Sequence, residues 1–115
     1  MLSFVIPCYR SEHTVGVVVE EILQTVATRP EETCEIILVN DGSPDHTADA
    51  IKALAAKHPQ VVAVDLSRNF GQHSALMAGF HQVQGDIIIC LDDDGQTPAC
   101  ECFKLIDKVN EGNDI

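Results

Sequence analysis

Three consecutive aspartates, Asp92-Asp93-Asp94, with Gln96 two places beyond, are the residues most suggestive of chemistry in this chain. They follow an apolar run. Along an extended segment the side chains at i and i+2 share a face, so Asp92 and Asp94 can address one cation together. Carboxylate oxygens, with the Gln96 amide nearby, suit Mg2+ or Mn2+ rather than zinc. Three like charges at the end of a buried strand are costly without a counter-charge. A divalent ion bridging to a diphosphate removes that cost and can act as a Lewis acid on a departing diphosphate. The triplet also reads as an acidic turn before the last helix, favoured by that helix's dipole. Spacing alone leaves both readings open.

Three earlier segments carry polar residues after an apolar run: Pro7-Cys8-Tyr9-Arg10-Ser11-Glu12, Asn40-Asp41-Gly42-Ser43-Pro44-Asp45 and Ser67-Arg68-Asn69-Phe70-Gly71-Gln72. The runs themselves, Leu2–Ile6, Glu35–Val39, Val61–Leu66 and Asp86–Leu91, are continuously apolar rather than alternating, which suits strands buried on both faces of a parallel sheet. Between them the period is helical: Val15, Val18, Val19, Ile22 and Val26 share one face. Ile51, Leu54 and Ala55 share a second, and Leu76, Gly79, Phe80 and Val83 a third. A final helical segment is expected over about 99–110, with Cys102, Phe103, Ile106 and Val109 inward. Ser43 or Asp45 is expected to cap the second helix with Pro44 at an early position. Gly71 should precede the third helix and Gly85 end it. The order βαβαβαβα predicts an α/β fold: an open, doubly wound, mainly parallel sheet with helices on both faces. Ligands of such sheets sit outside the carboxyl ends of the strands, where all four polar segments converge.

Composition narrows the partners. Seven basic residues against 18 acidic ones give a net charge of −11 among 115 residues. So acidic a surface repels phosphate backbones, which excludes nucleic acid as a partner. No run approaches the roughly 20 apolar residues of a membrane span, and the N-terminus lacks a signal-peptide pattern. The five cysteines, an odd number, read as free thiols in a reducing, cytoplasmic setting. Cys100 and Cys102 lack the second ligand pair of a zinc site. None of the five histidines is given a role; they are expected to face solvent. No G-x-G-x-x-G and no P-loop motif is present, and a receiver domain's acidic pair after the first strand is missing. Gly112-Asn113-Asp114-Ile115 reads as a turn entering another strand, so residues 1–115 are expected to be one domain cut short at its C-terminal end.

Together, VIPCYRSE, VNDGSPDHT, LSRNFGQHSALMAGF and GDIIICLDDDGQTP resemble, in order and spacing, the nucleotide-binding half of family 2 glycosyltransferases with the GT-A fold. The similarity is nearest to the polyprenyl-phosphate glycosyltransferases such as dolichyl-phosphate mannose synthase. It implies metal-dependent, inverting transfer of a sugar from a UDP- or GDP-sugar donor to an acceptor such as a polyprenyl phosphate. Pro7 and Tyr9 would line the base pocket, and Val39 and Asp41 would hold the nucleoside. Arg68, Asn69 and Gly71 would sit on the adjacent loop. Asp92 and Asp93 would lie along the ribose and diphosphate. Asp92, Asp94 and Gln96 would form the cluster for Mg2+ or Mn2+, with Asp92 and Asp94 the catalytic pair. The family often has an acid two positions after the tyrosine; Ser11 stands there, and Glu12, one place later, joins the nucleotide-binding set. Acceptor-site residues would lie beyond residue 115, as would any membrane helices of the full-length protein, working at the cytoplasmic face. The fragment alone is expected to be inactive. A non-catalytic, metal-dependent nucleotide-binding module, or a structural domain whose acidic turns only cap helices, remains the alternative.

Overall fold

The computed structural model describes residues 1–28, 33–85 and 87–90. Along these the elements alternate: β1 (Leu2–Cys8), α1 (Val15–Ala27), β2 (Cys34–Asp41), α2 (Thr47–Lys57), β3 (Val61–Leu66), α3 (Gln72–Phe80) and β4 (Ile87–Cys90). The strands form one parallel sheet in the order β3-β2-β1-β4. The chain thus steps outward from β1 to β3, then returns past both to place β4 on the other side of β1.

Two apolar layers explain the unbroken strand runs. Leu2, Phe4, Ile6 and Cys8 of β1, with Ile36 and Leu38 of β2, pack against the buried stripe of α1 (Val15, Val18, Val19, Ile22 and Val26) and against Ile51 of α2. Val5, Ile37 and Val39 face the other way, onto Ala75 of α3. Burying each such side chain contributes about 1.5–3 kcal/mol before chain entropy is subtracted.

The strands outlast the apolar runs that announced them: β1 continues through Pro7 to Cys8, and β2 through Asn40 to Asp41. Proline fits inside β1 because of where its missing donor points. Leu2 N–H donates to Thr33 on the β2 side, so by strand alternation position 7 faces the β4 side. Pro7 therefore removes no hydrogen bond from the β1–β2 ladder.

Helix α3 and the turn after it face inward as expected at Leu76, Gly79 and Val83, with Ala75 buried as well, but Phe80 is exposed. Gly79 presses on the sheet, so close that an added Cβ would stand 2.5 Å from Val5 Cγ1 and 3.2 Å from Val39 Cγ2. So near an approach suits small residues and turns the large one outward. Gly71 does precede α3, but the helix ends at Phe80 with His81 as C-cap, not at Gly85. The N-cap of α2 is His46, and Pro44 lies outside the helix; Asp45 still accepts from the first helical amide, Thr47 N–H, at 3.1 Å. Of the histidines, His58 is only 18% exposed and lies 3.1 Å from Glu20 Oε1, tying α2 to α1. Cys8 and Cys34 are buried thiols and Cys90 is exposed; the apolar surroundings of Cys34 push its thiol pKa up. Among the described residues no helix is long and apolar enough to cross a membrane. The expected helix over 99–110 lies outside the described residues.

Candidate functional site at the carboxyl edge

Because β2 and β4 leave β1 on opposite sides, the carboxyl ends of β1 and β4 flank the point where the winding reverses, the crevice in which open α/β sheets bind ligands. Three described loops border it, and a hydrogen-bond lacework fixes their relative positions.

The first and second loops are joined through Asp45. Arg10 N–H donates to Ser43 Oγ at 2.8 Å, and Ser11 N–H donates to Thr47 Oγ1 at 2.8 Å. Each hydroxyl has one proton, and both spend it on Asp45 Oδ1. Those two bonds, Ser43 foremost and then Thr47, hold the Asp45 carboxyl at about 2, below its ordinary value of 3.8; amide donors from Thr47 and Glu12 add to the effect. The anion at the start of α2 is therefore supplied from within, and it also matches the helix dipole.

The second and third loops meet at Asp41 and Gly42. Asp41, only 4% exposed at the tip of β2, accepts Phe70 N–H at 2.9 Å through Oδ1. Gly42 has φ +64°, and an added Cβ would collide with the backbone of Arg68 and Asn69. Both the left-handed conformation and the close approach demand glycine. Beside it Asn40 donates to Asp65 Oδ1 at 2.7 Å and accepts Ser43 N–H at 3.1 Å, so Asp65 is engaged by β2.

On this frame the expected nucleotide-binding residues fall as follows. Pro7 is half-buried near the end of β1 and Tyr9 is exposed just beyond it. The side chain of Val39 is fully buried in the layer beneath α3, and its backbone pairs with Pro7. Asp41 lies one strand over from Tyr9, and Glu12 is half-buried, with its carboxylate 3.8 Å from His13. Arg68 is exposed on the third loop with its guanidinium 4.8 Å from the centre of the Phe70 ring. Asp92, Asp93, Asp94 and Gln96 lie outside the described residues. Among the described residues no group of three or more His, Cys, Asp or Glu could hold a metal ion. The donor set expected for Mg2+ or Mn2+ thus rests on sequence. In sequence the triplet begins two residues after Cys90, the last described residue of β4.

Arg10 had no expected role, and the structure brings it forward. It adopts φ +54°, the left-handed region that non-glycine residues avoid, and its guanidinium lies 5.6 Å from the centre of the Tyr9 ring. Arg10 and Arg68 are two of only seven basic residues in the chain, and both are exposed at this edge. Their being two cations in the strand-end loops of a very acidic protein was the available signal.

Comparison with known proteins identifies the fold and the family. The glycosyl transferase family 2 model matches residues 3–115. The undecaprenyl-phosphate 4-deoxy-4-formamido-L-arabinose transferases of Yersinia enterocolitica and Serratia proteamaculans are 44% and 46% identical, each over 99% of this chain and 35% of their own length. The chain therefore spans about a third of the length of these curated relatives. In solved structures the fold recurs in S. aureus TarS 1-349 in complex with UDP-GlcNAc, with a TM-score of 0.74 and 18% identity over 96% of this chain and 31% of that one. It recurs also in the mannosyltransferase PcManGT from Pyrobaculum calidifontis in complex with GDP-Man and Mn2+, with a TM-score of 0.71 and 22% identity over 81% of this chain and 27% of that one. The sheet is thus the GT-A type. By the match of nearly its whole length to the family model, this chain belongs to glycosyl transferase family 2.

Proposed function

We propose that this chain supplies the donor-binding part of a polyprenyl-phosphate glycosyltransferase, holding a nucleotide-sugar at the carboxyl edge of its sheet. The observation that carries the reading is the gathering of Tyr9, Arg10, Asp41 and Arg68 on linked loops at the carboxyl edge of a family 2 sheet whose β4 precedes the acidic triplet in sequence. Pro7 and the exposed Tyr9 ring offer the base an apolar face. Asp41 keeps its position through Phe70 and leaves its second carboxylate oxygen for a base or ribose donor. Arg10, Arg68 and the nearby backbone amides bring positive potential to the diphosphate. Glu12 borders this set, and Val39 supports it from beneath. Asp92 and Asp93 would lie along the ribose and diphosphate.

The chemistry of the donor set fits a hard divalent cation: Asp92, Asp94 and Gln96 would hold Mg2+ or Mn2+. When bound, such an ion supplies positive charge against the growing charge of the leaving diphosphate. The acceptor phosphate oxygen attacks the anomeric carbon from the face opposite the diphosphate. The new C–O bond forms as the bond to the diphosphate oxygen breaks, so configuration inverts. The relatives' names supply undecaprenyl phosphate as the acceptor class. So lipid an acceptor places the reaction at the membrane, with the donor taken from the cytoplasm. Residues 1–115, one domain about a third of the relatives' length, bind donor without turning it over.

Titration calorimetry tests this. The chain should bind UDP or GDP in the presence of Mn2+, and Asp94→Ala should lose at least about tenfold in affinity, the scale of one charge-assisted contact. Binding of neither nucleotide, or full affinity without Mn2+ and in Asp94→Ala, would contradict the proposal.

A further inference from the structure

We propose that Glu35, at the opposite end of the sheet from the donor edge, is a positioning residue: with Ser3 it clasps Gly85 and sets the register in which β4 enters the sheet. The functional part of this inference rests on the donor-site reading above.

Ser3 and Glu35 are polar residues at the amino ends of otherwise apolar strands, paired directly across β1 and β2 and both buried. Buried polar groups in such a place cost free energy unless they are bonded. These two are bonded to one segment. Glu35 Oε2 accepts Ser3 Oγ–H at 2.6 Å, Gln84 N–H at 2.6 Å and Gly85 N–H at 3.0 Å. Ser3 Oγ in turn accepts Gly85 N–H at 2.9 Å. The fit leaves no room at position 85, where a Cβ would overlap Ser3 Oγ and stand 2.7 Å from the Met1 carbonyl oxygen. Gly85, expected to end a helix, is here a seat for the clasp.

Two residues later β4 begins, with Ile87 opposite Leu2 and Cys90 opposite Val5. Register along such a parallel ladder is fixed by whatever pins the strand where it enters the sheet. A slip of one residue would carry Ile87–Cys90 about 3.3 Å along the strand and onto the other face. The acidic triplet follows Cys90 two places on in sequence, so its approach to the donor edge depends on that register. The clasp prevents this at the far end of the strand, by tying the α3–β4 connection to the side chain directly opposite Ser3.

The test compares amide exchange and Mn2+·UDP affinity across Glu35→Ala, Glu35→Gln, Glu35→Asp and Gly85→Ala. Gln keeps the reach of Glu35 without its charge; Asp keeps the charge but is one methylene short. Exchange at Ile88–Cys90 should accelerate about 10- to 100-fold in Glu35→Ala, relative to Ile37 and Val39, the scale of losing hydrogen bonds to a charged group. Glu35→Asp and Gly85→Ala should behave likewise, and Glu35→Gln should stay within about threefold of wild type. Mn2+·UDP affinity should fall about tenfold in the first three and be rescued in Glu35→Gln. Acceleration spread evenly over the sheet, rescue by Asp rather than Gln, or loosened β4 with unchanged affinity would each overturn the proposal. Should the wild-type chain bind no Mn2+·UDP, the donor-site reading fails, while the exchange pattern still decides the clasp. Should Glu35→Ala not fold, the contrast between Gln and Asp decides it.

Discussion

The two ends of this sheet solve opposite problems with the same few residue types. At the amino end, Ser3 and Glu35 are buried and spend their hydrogen-bonding capacity on the backbone of residues 84 and 85. At the carboxyl end, Ser43, Asp45 and Thr47 also bond inward, but around them Tyr9, Arg10, Arg68 and Phe70 remain exposed. Backbone conformations divide the same way. Every positive φ among the described residues, at Arg10, Gly42 and Gly71, belongs to the carboxyl end. The lesson is that one end is closed to hold strands, while the other is laced just tightly enough to keep aromatic and cationic groups in reach of a ligand.

The largest expected effect comes from collapsing that distinction at Gly42. Gly42→Ala must place a Cβ against the third loop in a left-handed conformation. Overpacking and conformation together should cost about 3–4 kcal/mol in urea unfolding. A cost below about 1 kcal/mol would show that the second and third loops part easily and that the carboxyl end is less tightly laced than described.

Next comes Asp41→Ala, which orphans the Phe70 amide. The loss should be about 1.5–3 kcal/mol, with weakened nucleotide binding as well. Unfolding cost with unchanged binding would reduce Asp41 to a loop tie.

Asp45 supplies a pH signature. Its carboxyl titrates at about 2 when folded, below its ordinary value of 3.8. A depressed folded value means that its contribution is complete above the ordinary value and drains away as pH falls toward the folded one. Between about pH 4 and pH 2 the wild type should lose stability that Asp45→Asn lacks from the start, visible as a shallower acid dependence of Tm in the variant. Parallel acid profiles would remove Asp45 as the tie between the first two loops.

The smallest effect sharpens the contrast by reversing sign. Arg10→Gly relieves a left-handed non-glycine residue and should stabilise the chain by about 0.5–1 kcal/mol, while Mn2+·nucleotide affinity falls. Such a trade is what strain retained at a binding edge predicts.

How far the sequence was legible follows from the range of each interaction. Local periodicity revealed the core face of α1 completely, since Val15 through Val26 repeat on one helical stripe. On α3 it found Leu76, Gly79 and Val83 but not the outward turn of Phe80, beside which Gly79 sits close against Val5 and Val39, a contact across more than seventy residues in one case. The motif loops were legible as a set because a parallel sheet must bring strand ends together. What Asp45 does there was only half legible: a capping role could be read, but its joining of the first loop depends on Arg10 and Ser11 arriving from another strand. Gly85 reads locally as a helix stop; only the fold shows Ser3 Oγ beside it. Glu35 reads as a strand's first residue, and Arg10 as one more surface cation, because neither burial nor a positive φ is written in residue type.

The claim that the carboxyl edge is the donor edge is tested most directly by adding Mn2+·UDP to isotope-labelled chain and following paramagnetic broadening of the backbone amides. Broadening should centre on Tyr9, Arg10, Asp41 and Arg68 and leave Glu35, Gln84 and Gly85 sharp. Broadening centred on the Glu35 end, or spread evenly without a focus at either end, would contradict it.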